Sequence, residues 1–352
     1  MKSDPRDHRS FTQNGARASI RDVAALAGVS VGTVSNTINR PESVRRLTRE
    51  AVERAIEELH FVPNQQARVL GGISSQIIGL IVLDIVSPFF MEIARSVERV
   101  ANDYSNVVIL SNSDNDQHKE ERLLDMLAAQ NVKGVLLTPA SISSKIQPRT
   151  KNIITHVPIV YLDYRMPEGH CSISVDNIAG AQMAIRHLLE LGRDKIAFVG
   201  DPGILHQFAD RVEGTKKALR QAGLDPEEVL TIVKVPGIGM QDGIMAAKQL
   251  LKGDLPTGIL CGNDMMAFGV YRALISAGVK VPEDIALIGY DDIEFAADWI
   301  LPLTSVRQPT AELGMRGAQL LLEHATGASD HEHQQIVLRP ELVIRSSTDP
   351  QE

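Results

Sequence analysis

The stretch IRDVAALAGVSVGTVSNTIN, residues 20–39, joins two short apolar patterns at a single glycine. In its first half, apolar residues recur at i, i+3, i+4 and i+7, which is the spacing of one buried stripe on a helix. These residues are Ile20, Val23, Ala24 and Ala27. Gly28 ends that helix, and Ser30 is a good N-cap for a second helix. In this second helix, Val34 and Ile38 are placed to face the first.

A third helical stripe follows further along the chain. It consists of Val52, Ala55, Ile56 and Leu59. Three short helices therefore lie within about forty residues, and a glycine-containing turn joins the first two. This combination predicts a helix-turn-helix unit.

The outward face of the second helix is polar and uncharged. With Val34 and Ile38 turned inward, this face consists of Val31, Gly32, Ser35, Asn36 and Asn39. Asn can bond to an adenine edge through two hydrogen bonds, Ser can donate or accept, and Val can touch a thymine methyl group. Glycine in a helix costs about 1 kcal/mol but lets the backbone approach another surface closely. A solvated face would normally carry Lys and Glu, so the pattern favours a surface that reads the major groove of DNA.

Positive charge is displaced to the flanks of this face. The flanking residues are Arg17, Arg21, Arg40, Arg45, Arg46 and Arg49. Arginines there suit phosphate contacts, which give affinity and orientation without reading sequence. Arg45 and Arg46 lie where the third helix begins, the unfavourable end for a cation, so an external anion is expected beside them. An ordinary basic surface is the alternative.

The division of charge along the chain supports this interpretation. Residues 1–72 contain 11 Lys and Arg against 8 Asp and Glu, whereas residues 73–352 contain 25 against 36. A small electropositive head on a large acidic body is expected when only the head approaches a polyanion.

The segment HFVPNQQARVLGG, residues 60–72, predicts a short helix that Asn64 caps and two glycines close. So short a helix is marginal alone in water. In a dimer, two copies could pack together on DNA, with Leu70 wedged between base pairs in the minor groove. The alternative is an ordinary interdomain linker.

From residue 73 onward, apolar runs alternate with segments of helical periodicity. The runs are residues 77–83, 107–111, 132–138, 158–163, 195–200, 230–235, 257–262 and 285–291. Strands that are apolar throughout and alternate with helices predict buried parallel sheets of the doubly wound kind. About 280 residues are too many for one comfortable sheet, so two similar lobes are expected.

Ligands of such sheets bind at the carboxyl ends of the strands, and the residues that follow these runs are polar. They include Asp84, Ser87, Asn112, Asp114, Arg211, Asn263, Asp264, Asp291 and Asp292, together with Phe89 and Phe90. Carboxylates, amides and one arginine beside aromatic rings suit a small polyol such as a sugar. Asp264 and Asp292 are expected to be structural groups rather than ligand contacts.

The run from Ser19 to Gly72 resembles the head of the lactose-repressor family of bacterial transcription regulators. The similarity rests on DVAALAGVSVGTVSNTIN, TREAVERAIEELHFVPN and ARVLGG. It continues more loosely through VDNIAGAQMAIRHLLELGRDKIAFVG, GNDMMAFGV, VPEDIALIGYDD and LPLTSVRQP. The resemblance implies an all-α helix-turn-helix DNA-binding head and an α/β periplasmic-binding-protein-like body of two doubly wound parallel-sheet lobes.

The resemblance also implies site residues. The DNA-binding set is Ser19, Val31, Gly32, Thr33, Ser35, Asn36, Asn39, Arg45, Arg46, Asn64 and Leu70, the last as the minor-groove lever of a hinge helix. The effector-binding set between the lobes is Phe89, Phe90, Asp176, Arg211, Asn263 and Asp291. Trp299, the only tryptophan, is added to this set, with core packing as its alternative role. Many relatives carry larger side chains at Val31 and Gly32, so the operator bases cannot be copied from them.

The expected domains follow from the same resemblance. Residues 1–18 form a variable tail, 19–62 the helix-turn-helix domain, 63–73 the hinge helix and linker, 74–346 the body, and 347–352 a tail. The first lobe is expected to hold about residues 74–174 and 306–334, and the second lobe about residues 175–305 and 335–346. The stretch LTSVRQP, residues 303–309, is interpreted as a loop that crosses between the lobes.

Two other classes of protein fit less well. A dehydrogenase would need a dinucleotide fingerprint, but GIGMQDG at 237–243 has Asp242 at the third glycine position. The sequence also contains neither a GxxxxGK[ST] phosphate loop nor a GxSxG nucleophile elbow, so neither catalysis nor a cofactor is expected. A secreted sugar receptor would share the body. The polar first eighteen residues and the DNA-reading head argue against it, and no apolar run approaches membrane-spanning length, which favours the cytoplasm.

Metal binding is not expected. Cys171 and Cys261 are predicted to be reduced, buried thiols. His331 and His333 lie two residues apart in DHEHQ, without a cysteine nearby in the sequence.

The sequence therefore predicts a DNA-binding transcriptional regulator, most simply a repressor. Its partners would be an approximately palindromic double-stranded operator and a small-molecule effector. The chain would act as a homodimer, or as a tetramer formed by two such dimers. Effector binding would change the closure of the lobes and so the pairing of the hinge helices.

Overall fold

The structure is a computed structural model that describes residues 18–62, 75–140, 157–326 and 331–349. The chain divides into two compact units, Met1–Ser75 and Gln76–Glu352, called here the head and the body. Arg17, Asn64, Leu70 and the expected hinge helix over residues 63–73 lie outside the described residues. The predictions made for them stay predictions.

The head contains three helices, α1 (Ile20–Ala27), α2 (Val31–Asn39) and α3 (Arg46–Glu58), with a short 3-10 turn at Pro41–Ser43. Its buried core consists of Val23, Ala24, Val34, Val52 and Ala55, and Ile20, Ala27, Ile38, Ile56 and Leu59 pack against it. All three predicted stripes are therefore confirmed.

Two local features set the ends of these helices. Gly28 ends α1 at φ 66°, in the left-handed region that favours glycine. Ser30 starts α2, and its hydroxyl accepts a hydrogen bond from the Thr33 N–H at 3.1 Å. These two residues form the turn that the sequence predicts.

The first sheet of the body contains six parallel strands. They are β1 (Ile77–Val82), β2 (Val107–Asn112), β3 (Gly134–Leu137), β4 (Ile159–Leu162), β5 (Cys171–Val175) and β11 (Gln335–Leu338), in the order β11-β5-β4-β3-β1-β2. Its helices are α4 (Pro88–Asp103), α5 (Gln117–Ala129) and α12 (Thr310–Ala325). Separate apolar clusters around Leu136 and Leu127 show that side chains are buried on both faces of this sheet.

The second sheet also has six strands. They are β6 (Ile196–Val199), β7 (Leu230–Val233), β8 (Gly258–Cys261), β9 (Ala286–Asp291), β10 (Thr304–Arg307) and β12 (Glu341–Val343), in the order β12-β10-β9-β8-β6-β7. Its helices are α6 (Asn177–Glu190), α7 (His206–Gln221), α8 (Pro226–Val229), α9 (Met240–Leu250), α10 (Asp264–Ser276) and α11 (Phe295–Asp298). Every pairing in this sheet is parallel except β10 with β12.

The chain crosses between the two lobes three times, at Asp176, at residues 308–309 and at residues 339–340. Two predicted lobe boundaries are therefore wrong. The boundary at 305/306 would divide β10, and the boundary at 334/335 would assign β11 to the second lobe. Crossings fall between elements because a strand keeps all its ladder bonds within one sheet.

The interpretation of residues 303–309 as a loop that crosses between the lobes is correct for residues 308–309 and wrong for the four residues 304–307. Thr304–Arg307 is the strand β10, and its buried polar side chains are satisfied internally. The Thr304 hydroxyl donates to the Arg345 carbonyl at 2.9 Å, and the Ser305 hydroxyl donates to the Asp264 carboxylate at 2.6 Å. Because Thr304 and Ser305 are polar, β10 does not form an apolar run in the sequence.

The predicted C-terminal tail is also partly wrong. Ser347 and Thr348 are buried in the second lobe. The Ser347 hydroxyl donates to the Leu287 carbonyl at 2.6 Å, and the Thr348 hydroxyl lies 2.9 Å from His187 Nε2. The body therefore continues at least to Thr348.

Both cysteines are free and buried, as predicted. In the described part of the chain, no helix is long and apolar enough to cross a membrane.

Candidate DNA-reading face and effector cleft

The outward face of α2 is accessible and carries no charge. Val31 is 41% exposed, Gly32 and Asn36 are also exposed, and Ser35 and Asn39 are half-buried. The Asn39 amide donates to the Ser35 hydroxyl at 3.3 Å, and its own carbonyl oxygen is buried without a partner among the described residues. The exposed amide of Asn36 is the hydrogen-bonding group that this face presents most openly.

Neither packing nor backbone conformation within the head requires glycine at position 32. A Cβ atom there would meet only the Ser30 hydroxyl oxygen, at an ordinary 3.7 Å. The backbone is helical and needs no left-handed conformation. The absence of a side chain is therefore explained better by something outside the head than by packing within it.

Ser19 and Thr33, the other predicted DNA-binding residues of α1 and α2, also have structural roles. The Ser19 N–H and hydroxyl donate to the Asp22 carboxylate at 2.8 and 2.7 Å, and this bonding holds the pKa of Asp22 below its usual value. The Thr33 hydroxyl lies 2.9 Å from that of Ser30. Both residues stabilise helix starts.

The arginines at the start of α3 differ from each other. Arg46 pairs with Glu50 at 3.0 Å on the helix surface. Arg45 is exposed at the N-cap position, where its side chain caps no backbone group. The first N–H groups of α3 therefore have no side-chain cap from Arg45, and the start of a helix favours an anion.

The body contains a cleft at the carboxyl ends of the strands of both sheets. Its cavity volume is about 30 Å³, within about 360 Å³ of space free of protein atoms that includes open solvent. Five predicted residues line it: Phe89, Phe90, Arg211, Asn263 and Asp291. The other lining residues are Leu83, Ser87, Asp163, Leu205, Gln207, Phe208, Ile238 and Gln308.

Arg211 is the buried cation of the cleft. Its Nε donates to the Asn177 side-chain oxygen at 2.9 Å, and its Nη1 donates to the Gly262 carbonyl. The guanidinium carbon lies 3.5 Å from the centre of the Tyr290 ring, and Nη2 lies 4.0 Å from the Asp291 carboxylate. The second lobe thus holds this side chain in one position through several contacts.

Two buried carboxyls face this cation. Burial raises the pKa of Asp291 to about 7 and that of Asp163 to about 6, although the Arg211 charge lowers both. The Asp291–Arg211 distance of 4.0 Å is too long for a close ion pair, which agrees with incomplete compensation of burial.

Hydrogen-bond acceptors without partners remain around the cleft. Gln207 Nε2 donates to the Asp163 carboxylate at 2.7 Å, and Gln308 Nε2 donates to the Asp291 carboxylate at 2.7 Å. When the acid is ionised it needs a donor, so each glutamine presents its amide nitrogen to the carboxylate and its amide oxygen is left free. The oxygens of Gln207 and Gln308 and Oδ1 of Asp163 are buried without a partner in the described part of the chain.

Several cleft contacts connect the two lobes. Gln207 of the second lobe donates to both the main-chain and side-chain oxygens of Asp163 in the first lobe. The rings of Tyr164 and His206 meet at 4.2 Å, and burial followed by the Arg211 charge lowers the pKa of His206 to about 4. A ligand that bonds to Asp163 or Gln207 would therefore act on both lobes.

Comparison with known proteins identifies the family. Residues 19–64 match bacterial regulatory proteins of the lacI family, and residues 185–348 match a periplasmic binding protein-like domain. The HTH-type transcriptional repressor PurR of Haemophilus influenzae (strain PittEE) is 35% identical over 335 residues, which cover 94% of this chain and 98% of that protein. The ribose operon repressor of Escherichia coli (strain K12) is 35% identical over 335 residues, covering 94% and 99%. The chain belongs to the LacI family.

Solved structures agree with this LacI-family assignment. The lac repressor dimer bound to operator and the anti-inducer ONPF has a TM-score of 0.81 at 28% identity, covering 95% of this chain and 99% of that one. The CelR–cellobiose complex has a TM-score of 0.68 at 32% identity, covering 94% and 100%. The predicted fold class is confirmed, and the chain is a DNA-binding transcriptional regulator of a family of regulators rather than enzymes.

Two predicted effector residues of this LacI-family chain do not reach the cleft lining. Asp176 instead caps α6, where its carboxylate accepts the Ala179 N–H at 2.9 Å. Trp299 stacks on Phe268 with ring centroids 4.3 Å apart, so core packing, the alternative weighed for it, is the role observed. Asn263 lines the cleft, but its amide both caps α10 and donates to the Ile238 carbonyl.

Other cleft residues were missed by sequence reasoning. Asp163 ends a predicted apolar run and has a φ of 52°, so the rule of polar residues after strands could have found it. Gln308 lies in the stretch that was interpreted as a loop. Gln207 follows no strand directly, and no sequence signal marked it.

Asp264 and Asp292 have the structural roles expected of them. Asp264 is fully buried and accepts from the Ser305 hydroxyl and the Ile293 N–H, at 2.6 and 2.9 Å. Asp292 pairs with Arg307 and Arg345, both at 2.6 Å.

Proposed function

We propose that this chain is a homodimeric transcriptional repressor that reads an approximately palindromic operator with α2 and responds to a polyhydroxylated effector, such as a sugar, in the cleft. The observation that carries the proposal is the exposed, uncharged face of α2, with positive charge beside it. Such a face fits base edges, and two copies in a dimer suit a symmetric site.

The contacts divide into two classes on this account. Val31, Ser35, Asn36 and Asn39 read bases in the major groove, and Gly32 lets the α2 backbone come close to them. Arg45 and Arg46 contact phosphates and set the orientation of the head. Leu70 wedges into the minor groove from a hinge helix whose pairing depends on the dimer.

The cleft favours a ligand rich in hydrogen-bond donors. Its unpartnered buried atoms, on Asp163, Gln207 and Gln308, are all acceptors. The hydroxyl groups of a sugar supply matching donors, and Phe89 and Phe90, with ring centroids 5.0 Å apart, offer apolar surface for a sugar ring. Among the similar structures, CelR is a complex with cellobiose, which agrees with this ligand class.

Coupling between cleft and DNA runs through lobe closure. A ligand that bonds to the Asp163–Gln207 pair favours one arrangement of the lobes, and the dimer transmits that difference to the hinge helices. Because a short helix is marginal, a coupling free energy of about 1–3 kcal/mol suffices to change operator occupancy. We expect the protein to work in the cytoplasm, where bacterial DNA lies.

The proposal is tested by measuring affinity for duplex DNA with the full chain and with a chain that lacks residues 1–72, each across a panel of sugars. We expect tight, sugar-dependent binding by the full chain only, with sugar binding kept by the shorter chain. Equal DNA affinity of both chains would contradict the role of the head. Binding of DNA without a response to any sugar would contradict the effector class.

A further inference from the structure

A second cluster of chemically capable side chains lies at the opposite end of the first sheet from the cleft. Cys171 is the first residue of β5, and His331 and His333 precede β11, which pairs with β5. His324 lies in the last turn of α12. The cleft is at the carboxyl ends of the strands, whereas this cluster is at their amino ends.

The four side chains are in direct contact. Cys171 Sγ lies 3.0 Å from His331 Nε2 and 3.4 Å from His333 Nδ1. The rings of His324 and His331 stack with centroids 4.3 Å apart, and the ring of His333 stands nearly perpendicular to both at 5.4 Å. One sulfur and three imidazoles are thus gathered from three separate segments.

Their spacing fits a shared cation. One potential ligand atom from each of Cys171, His324 and His331 lies within 4.8 Å of the others. The ligand atoms of a tetrahedral zinc site are about 3.5 Å apart, so binding needs an inward movement of these side chains. It also needs rotation of one imidazole, because the His324 and His331 rings are nearly parallel and a metal ion lies in the plane of each ring that binds it. His324 Nδ1 is buried and has no hydrogen-bond partner among the described residues, as expected of an atom intended for a ligand.

Neutral imidazole and thiolate are the forms that bind a metal ion. Binding would therefore release the proton of the Cys171 thiol, and the bound cation would supply the charge that stabilises the thiolate.

We propose that Cys171, His324, His331 and His333 bind one zinc(II)-class ion and so connect the end of α12 to β5 and β11. A thiolate with three imidazoles is a donor set typical of tetrahedral zinc. Four protein ligands leave no open position, so the site is structural rather than catalytic.

No cysteine lies near His331 in the sequence, which is why the sequence alone predicts no metal site there. The fold removes that objection, because Cys171 lies 160 residues away in the chain and in contact in space. A bound ion would hold the residues just before β11 against the end of α12, the helix that follows the crossing at residues 308–309.

The test uses the untagged full chain, stripped with a chelator and titrated with Zn²⁺ against a chromophoric competitor. We expect one ion per chain with a dissociation constant tighter than about 1 μM. Co²⁺ in place of Zn²⁺ should give tetrahedral d–d bands and a thiolate charge-transfer band. Zn²⁺ should also raise the melting temperature of the body.

Cys171→Ser tests the thiolate, and Cys261→Ser is the matched control because Cys261 is an equally buried, free cysteine outside the cluster. Outer partners of metal ligands are worth about 10- to 100-fold in affinity, so losing the thiolate should weaken Zn²⁺ binding at least about 100-fold. His331→Gln should also weaken Zn²⁺ binding. Because His331 lies nearer the surface than Cys171, this variant tests the site even if Cys171→Ser fails to fold.

Three results would overturn the proposal. They are a full chain that binds no Zn²⁺ below about 1 μM, equal Zn²⁺ affinities of Cys171→Ser and Cys261→Ser, and a Co²⁺ spectrum without a thiolate band. Each would mean that the cluster is only a set of packed, hydrogen-bonded side chains.

Discussion

The two polar surfaces of this LacI-family protein, the α2 face of the head and the cleft of the body, differ in what else their residues do. On the α2 face, Val31, Gly32 and Asn36 are exposed. In the cleft, Arg211 and Gln207 are 3% exposed and bonded to other parts of the body. The α2 face therefore lies on the surface of a head whose core does not depend on it, whereas the polar residues of the cleft are part of the buried core of the body.

This difference predicts how substitutions behave. Changes on the α2 face should alter DNA binding with little effect on folding, because few internal contacts are lost. Changes in the cleft should alter ligand response and folding together, because buried polar groups lose their partners.

Arg211→Ala should have the largest effect. It removes a buried cation bonded to Asn177 and Gly262 and leaves the Asp291 carboxyl without its nearest positive charge. We expect a loss of about 3 kcal/mol in the free energy of unfolding of the body, together with loss of effector binding. Urea unfolding followed by the fluorescence of Trp299 measures the stability.

Arg220→Ala is the matched control, since Arg220 lies on the same helix but is exposed. It should leave both stability and effector binding within error. If Arg211→Ala unfolded at the same urea concentration as the wild type, the cleft would not be part of the core and the contrast would fail.

Asn36→Ala should change DNA binding without changing stability. Loss of a base contact should weaken operator binding by about 1–3 kcal/mol, while the free energy of unfolding of the head stays within about 0.5 kcal/mol. Fluorescence anisotropy with labelled operator measures the first quantity and thermal unfolding the second. Glu57→Ala, an exposed change on α3, is the control and should leave both unchanged.

The effector affinity should depend on pH. The raised pKa of Asp291, about 7, means that its carboxylate accepts ligand hydroxyls fully only above that pH. Between pH 8 and pH 6 the affinity should fall about tenfold, since roughly one carboxyl in ten stays ionised one pH unit below its pKa. Isothermal titration calorimetry measures it. Asp291→Asn should leave only the smaller dependence below about pH 7 that comes from Asp163, whose pKa is about 6.

The same group gives body stability the opposite pH trend. A carboxyl whose pKa is higher in the folded state stabilises that state fully below its unfolded value of 3.8 and loses this contribution as pH rises to about 7. The melting temperature of the ligand-free body should therefore fall across this window by a contribution that is missing in Asp291→Asn. A wild-type effector affinity that is constant with pH would contradict the role of Asp291.

Gly32→Ala should have a small effect on the stability of the head, and that effect should be stabilising. Its Cβ meets no obstacle in the head, so helix propensity should stabilise the head by up to about 1 kcal/mol. Operator binding should nevertheless weaken, because the backbone of α2 is kept further from the base edges. Greater stability with unchanged operator affinity would show that Gly32 does not approach DNA.

The parts of this protein that sequence reasoning predicted well are those with repeated apolar spacing. The stripes through Val23, Val34 and Val52 identify the head because few other arrangements bury them together. The eight apolar runs identify most strands of both sheets for the same reason. β10 was missed because Thr304 and Ser305 are buried polar residues whose partners lie 41 residues away in the chain.

The cleft was predictable only in part. Phe89, Arg211 and Asp291 follow strands or match the family pattern, so they could be named. Gln207 could not, because its position depends on a contact with Asp163 in the other lobe. The cluster at Cys171 was unpredictable for a similar reason, since its members come together only when β5 and β11 pair.

The proposed function requires, above all, that the α2 face contacts base edges. The decisive measurement is selection of binding sites from a random duplex library by the wild type and by Asn36→Ala, followed by sequencing. We predict an approximately palindromic site for the wild type, with base preference lost at one position of each half-site in the variant. Identical base preferences for the two proteins would contradict the account.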